Sequence, residues 1–228
     1  MNFFLDGFIT AIRLLIQGDA ETYSSISATL LVTGYSMTAS LLIGIPLGFV
    51  LGYADFRAKK QLRFLADTLM SLPTVFVGLI VYGLLSSKGP LGQLGLLFTL
   101  PGISIGLTVL ALPIVISLSA AMVESMDRQL RVALISLGAD RRQLLLSILW
   151  EVRFGILTAA INAFGRVMTE VGISMMVGGN IKWHTRTITT AIALETNKGQ
   201  FGMGIALGLV LLLIAFLVNL SLYFLRKQ

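Results

Sequence analysis

Arg166 and Glu170 stand four residues apart inside a long apolar run, FGILTAAINAFGRVMTEVGISMMVG, where charge is otherwise absent. A charge at the centre of a membrane span costs roughly 2.5 to 3.5 kcal/mol on insertion scales, so each is a candidate for function. One helical turn apart, guanidinium and carboxylate can neutralise each other and lock helix packing. They can also form part of a gate, or Arg166 can place positive potential inside the apolar region. Just beyond lies a polar segment with Gly178, Gly179, Asn180, Lys182, Trp183, Arg186 and the sole histidine, His184. One histidine without cysteine or neighbouring carboxylates is a poor metal-ligand set, and no metal is expected. A docking surface for a partner protein, made by Lys182, Trp183, His184 and Arg186, accounts better for this mixture. A tight turn at Gly179 and Asn180 could also offer backbone amides to an anion.

Cysteine is absent, which excludes disulfides, thiolate metal sites and cysteine nucleophiles. A membrane-embedded enzyme would need convergent ionisable groups, and the apolar runs hold almost none besides Arg166 and Glu170. No G-x-x-x-x-G-K-[ST] phosphate loop occurs, so any nucleotide chemistry belongs to a partner.

The elements that position these residues follow from composition. Apolar residues make up 56% and charged residues 12% of the 228, with a mean hydropathy of +0.89. Such usage lies far outside that of soluble proteins and predicts an all-α integral membrane protein, one domain over residues 1–228. The net charge of +6 is spread between apolar spans, so it reports topology rather than nucleic-acid binding. Crossing ~30 Å of hydrocarbon takes about 20 residues, and five stretches qualify: 26–53, 65–85, 96–123, 154–178 and 201–225. Pro46, Pro73 and Pro113 fall near the middles of the first three, and Pro101 near the start of the third, which favours a pathway-lining bundle over a passive anchor. Gly34, Gly44, Gly48 and Gly52 give the first span small residues for close packing.

Residues 1–22 form an N-terminal segment too short and polar to span. Within Phe3 to Gln17, Asp6, Thr10, Arg13 and Gln17 make one stripe against Phe4, Phe8, Ile12 and Leu15, which predicts an amphipathic interfacial helix. A cleaved signal peptide is the rival, but its n-region should be basic and the only early charge is Asp6. Residues 179–200 read as an outer loop of about twenty residues.

Lysine and arginine fix the orientation. Eleven fall on one side of the five spans, at Arg57, Lys59, Lys60, Arg63, Arg128, Arg131, Arg141, Arg142, Arg153, Arg226 and Lys227, and five on the other. The positive-inside rule puts the eleven in the cytoplasm, with the N-terminus outside and the C-terminus inside.

Residues 127–150 then form a cytoplasmic loop. Gly138 breaks a helical run, Asp140 is a good N-cap and Gln143 completes a variant capping box, so a short helix begins at Arg141. Leu144, Leu145 and Ile148 give it an apolar face, which either rests on lipid or docks into a groove on a soluble partner.

The spacing of Ala133, Gly138 and Ile148 resembles the EAA loop of type I ABC import permeases, EAA, three residues, G, nine residues, I-x-L-P. Val132 and Leu134 stand at the E and second A, and Trp150 and Glu151 at the final L and P. The resemblance implies that Ala133, Gly138, Ala139, Asp140, Arg141, Arg142, Leu145 and Ile148 belong to a coupling helix and its approach, docking on an ATP-binding subunit. A second stretch, FGRVMTEVGISMMVGGNIKWHTRTI, resembles the segment that oxyanion permeases carry after that loop, G-E-x-G…G-N-I…T-x-T. The matching positions are Glu170, Gly172, Gly179, Asn180, Ile181, Thr185 and Thr187, with Thr169 replacing the first glycine.

Within that family the chain is most similar to tungstate permeases, which share a loop like Glu195 to Gly199. The resemblance implies the permease subunit of an ATP-driven tungstate importer in a bacterial or archaeal cytoplasmic membrane. It would work as a homodimer by alternating access, with two ATP-binding cassette subunits and an extracytoplasmic oxyanion-binding protein. Arg166, Glu170, Gly172, Gly179, Asn180, Thr185 and Thr187 become candidates for the path or its gate. No cofactor is expected on this chain, ATP and Mg belonging to the ATPase. The alternatives are a permease for molybdate or another oxyanion, and an ATP-independent channel.

Overall fold

The computed structural model describes residues 3–226, and among the described residues every regular element is helical. The N-terminal helix α1, Phe3–Gln17, ends at Gly18, whose φ of 68° turns the chain back. Its packed face is the small one. Gly7 and Ala11 are buried against α11, Phe201–Arg226, while Phe4, Phe8 and Ile12 stay exposed.

Asp19 caps α2, Ala20–Tyr53, its carboxylate accepting from the Thr22 amide at 2.8 Å and hydroxyl at 2.7 Å. The helix therefore starts before residue 26, where the first span was expected to begin, and takes in the polar run Thr22 to Ser25, because the cap sits upstream of it. Gly44, Gly48 and Gly52 press α2 onto α5, Leu100–Glu124, where an added Cβ would come within 2.8, 2.6 and 2.7 Å of α5 atoms. Gly34 has nothing within 4 Å and takes no part. Val32, Val115, Ile103 and Leu107 form the core of this contact.

The second span departs from the expected continuous helix over 65–85. It consists of α3, Lys59–Leu69, and α4, Thr74–Leu85, bent by 100°. Pro73 is the cause: its ring disfavours helix at the preceding residue and it has no amide to bond backward. It stands at the N-cap of α4 in an extended conformation instead. An ionic clasp ties α3 to α5. Lys59 and Arg63 both lie within 4 Å of Glu124, and Asp67 accepts from the Ser117 hydroxyl.

The third span starts later than residue 96, at Leu100, because Thr99 caps α5 and Pro101 fills its first turn. A short 3-10 turn, Gly92–Leu94, precedes it. Next come α6, Arg128–Ser136, α7, Arg141–Glu151, and α8, Arg153–Met168, with a 56° bend between the last two.

The expected single helix over 154–178 is also broken. After α8 the chain restarts as α9, Gly172–Gly178, with Val171 at its N-cap position and the Glu170 carboxylate just before it accepting from the Ile173 amide at 3.2 Å. The carbonyl of Glu170 that the break releases takes the Thr189 hydroxyl at 3.0 Å, as a low-dielectric setting requires. Residues 179–200, expected as loop, contain α10, Ile188–Asn197, started by a capping box between Thr187 and Thr190.

Among the described residues, three helices are long and apolar enough to cross a bilayer: Ala20–Tyr53, Leu100–Glu124 and Phe201–Ser221. The bent pairs Lys59–Leu69 with Thr74–Leu85 and Arg142–Glu151 with Arg153–Met168 raise the number to five when each pair counts as one span.

Candidate functional site

Three clusters hold the residues singled out from sequence. The first is the break between α8 and α9. Arg166 and Glu170 do not form the pair their spacing suggests, because the helix that would align them ends at Met168. Glu170 is 5% exposed and turned toward α9, where its Oε1 lies 3.2 Å from the position a Cβ on Gly172 would take. Arg166 is exposed, and its side chain has no hydrogen bond or ion pair among the described residues. The two charges are thus separate: one carboxylate is held by a backbone amide, and one guanidinium is exposed on α8.

The second cluster is the turn from Gly178 to Thr187. Gly179, Asn180 and Trp183 all have positive φ, at 70°, 50° and 70°. A side chain at Gly179 would also meet the Phe98 ring at 2.7 Å. Thr185 and Thr187 are buried and their hydroxyls are committed to the chain itself. Thr185 bonds to the Gly178 carbonyl and receives the Ile181 amide at 3.1 Å, while Thr187 caps α10. Arg186, only 14% exposed, binds Glu21 at the start of α2 and the Asn180 side chain. Lys182 binds the same Glu21 at 2.7 Å. Of the four expected docking residues, Trp183 and His184 are exposed, with the Lys182 ammonium 5.2 Å from the centre of the Trp183 ring, Lys182 is half-exposed and paired with Glu21, and Arg186 is a strut.

Sequence reasoning missed Glu21, and with it Thr29, whose hydroxyl accepts the Ile188 amide at 2.9 Å. No local pattern marks either, since their partners lie some 160 residues away.

The third cluster is cytoplasm-facing in the expected orientation. Gly138, at φ 80°, separates α6 from α7, and the Asp140–Gln143 capping box is complete, with bonds of 2.7 and 2.9 Å. The face of α7 differs from the expected one. Leu144 and Ile148 are buried, so they present nothing outward. The exposed apolar side chains are Leu146, Leu149 and Trp150, joined by Ala133, Val132, Ile135 and Leu137 from α6 and its end. Leu145 and Ala139 are half-buried, Arg142 is exposed, and the Arg141 side chain lies outside the described residues. Arg153, at the bend, is sandwiched between the Trp150 and Phe154 rings at 4.3 Å each, a cation–π arrangement that stiffens the joint between α7 and α8.

No group of three or more metal-ligating side chains occurs among the described residues. The three clusters thus hold a buried carboxylate at the break between α8 and α9, a turn pinned to α2 through Glu21, and a short helix with exposed apolar side chains.

The sequence pattern of the binding-protein-dependent transport system inner membrane component family matches residues 44–228. The chain belongs to that family.

As a member it is a membrane transport component that works beside ABC ATPase and substrate-binding partners. The tungstate uptake system permease protein TupB of Campylobacter jejuni is 47% identical over 100% of this chain and 95% of its own. TupB of Peptoclostridium acidaminophilum is 36% identical over the whole of both chains. The molybdenum transport system permease protein ModB of Azotobacter vinelandii is 26% identical over 90% of this chain and 94% of its own. Among solved structures, the inward-facing MetNI methionine ABC transporter superposes with a TM-score of 0.71 over 91% of this chain and 95% of that one, at 18% identity. The fold of this transport family is therefore shared where little sequence is.

Proposed function

We propose that this protein is the permease subunit of an ATP-driven tungstate importer, two copies of which enclose the translocation path. The observation that carries the substrate is the 47% identity with TupB along the full chain, against 26% with a molybdenum permease. Five spans are few to enclose an aqueous path, whereas two copies supply ten around a two-fold axis. The N-terminus is outside and the C-terminus cytoplasmic, as the eleven cytoplasmic cations require. ATP and Mg act on the partner ATPase and this chain binds no cofactor. ATPase closure is transmitted through α6 and α7, whose exposed Leu146, Leu149 and Trp150 fit a groove on a soluble subunit. Rocking of the two halves then alternates access. Trp183 and His184 meet the external binding protein.

The test is uptake by the purified permease reconstituted with its ATPase and binding protein, with tungstate, molybdate and sulfate supplied separately. Tungstate uptake that requires ATP and exceeds the other two supports the reading. Equal uptake of all three removes the tungstate preference, and conduction without ATPase would turn the protein into a channel.

A further inference from the structure

Every exposed residue between Arg153 and Thr169 is polar or glycine: Thr158, Asn162, Gly165, Arg166 and Thr169. At 100° per residue the four polar ones fall within about 80° of one another, so they form a single strip along α8. The adjoining face, with Ala159, Ala163 and Val167, is buried in the bundle. Other helices differ. The exposed positions of α5 before Glu124 are Pro101, Ile105 and Val109, and those of α11 include Leu212, Leu213, Phe216 and Leu217. Those surfaces suit hydrocarbon, whereas the surface of α8 does not.

The hydroxyls of Thr158 and Thr169 and the amide of Asn162 donate back to α8 carbonyls, at 2.9, 2.9 and 2.8 Å. Arg166 has no such partner among the described residues. It stands about 20 Å along the helix from Arg153, too far from the cytoplasmic end for its stem to reach water there. Nor is an acid available to neutralise it, since Glu170 is buried against α9. A polar strip with an unpaired cation at that depth needs water beside it.

We propose that the strip Thr158, Asn162, Arg166 and Thr169 lines the aqueous path, and that Arg166 is its electrostatic filter for a tetrahedral dianion. This rests on the dimeric importer proposed above. Two copies bring two guanidiniums to the axis, matching the two negative charges of the substrate. The flanking groups, already bonded to their own helix, offer few fixed donors. The path attracts the anion without holding it, as conduction demands.

The test uses the absence of native cysteine in this chain. Asn162→Cys and, as a control on the hydrocarbon-facing helix, Leu212→Cys are introduced singly into the reconstituted complex. Both are treated with water-soluble methanethiosulfonates bearing either a sulfonate or an ammonium group, in nucleotide-free and vanadate-trapped states. Asn162→Cys is expected to react in at least one state and Leu212→Cys in neither. Normalised to free cysteine, the anionic reagent should lead by about tenfold at position 162, a field effect of the nearby charge. Adding Arg166→Gln should abolish that lead while Arg166→Lys preserves it. Arg166→Gln should also lower tungstate uptake by at least about tenfold. Position 162 as unreactive as 212, or a charge preference indifferent to Arg166, overturns the proposal. A wild type that carries no tungstate but keeps the Arg166-dependent preference refutes the substrate and leaves the path standing.

Discussion

Replacing Gly48 and Gly34 separately by alanine tests the packing that holds the bundle together. Both lie on α2, so both gain the same ~1 kcal/mol of helix preference over glycine. They differ in surroundings. A Cβ at Gly34 meets nothing within 4 Å, but one at Gly48 comes 2.6 Å from the Ile116 carbonyl oxygen and 2.8 Å from the Ser119 Cβ. Ordinary contact begins at 3.4 Å, so α2 and α5 must part by about 0.8 Å. The obstructing oxygen is backbone and cannot rotate aside, which places the cost in the upper part of the ~1–3 kcal/mol range for overpacking. The two variants should then differ by about 2–3 kcal/mol. At roughly 2–4 °C per kcal/mol for a chain of this length, Gly34→Ala melts above wild type and Gly48→Ala some 4–12 °C below Gly34→Ala. Thermal unfolding of the purified permease in detergent reads this directly. If the two alanines raise the melting temperature equally, the close approach of α2 and α5 is refuted.

Two other perturbations address the cytoplasmic and outer clusters. Asp140→Ala removes the α7 cap, worth about 1 kcal/mol, and Gly138→Ala forces alanine into φ 80° at roughly 1–2 kcal/mol; each should speed amide exchange in α7 and lower ATPase stimulation, and unchanged coupling would count against α7 as the transmitting element. Glu21→Gln leaves Lys182 and Arg186 without their shared carboxylate, so amide exchange over residues 179–187 should rise by about tenfold or more while α7 is untouched; protection equal to wild type would show that the turn holds without the strut.

The positions of the breaks in the second and fourth spans show how local signals and tertiary partners divide the work. Pro73 announced a disturbance, but a proline can kink a helix or end it. Only the arrangement of α4 against α9 decides for a 100° bend. Arg166 and Glu170 looked like a pair because helical spacing aligns positions four apart. The alignment fails once α8 ends at Met168, the Glu170 carboxylate turns to the Ile173 amide and Thr189 takes its carbonyl. Leu144 and Ile148 were legible as apolar but not as inward-facing, because a short helix with oily residues on both sides has no sequence mark for which side meets the bundle.

Residue order and composition were enough for the class, the apolar stretches and the cap at Asp140, while only packing decided that Gly44, Gly48 and Gly52 meet α5 and Gly34 does not. The first three are properties of composition and of neighbours within a turn or two. Tertiary structure alone decided that Glu21 grips residues 182 and 186, that α10 folds back onto α11, and that α8 turns its polar side outward. In hydrocarbon every freed backbone group and every charge must find a partner wherever the chain can supply one, and that partner is often more than a hundred residues away.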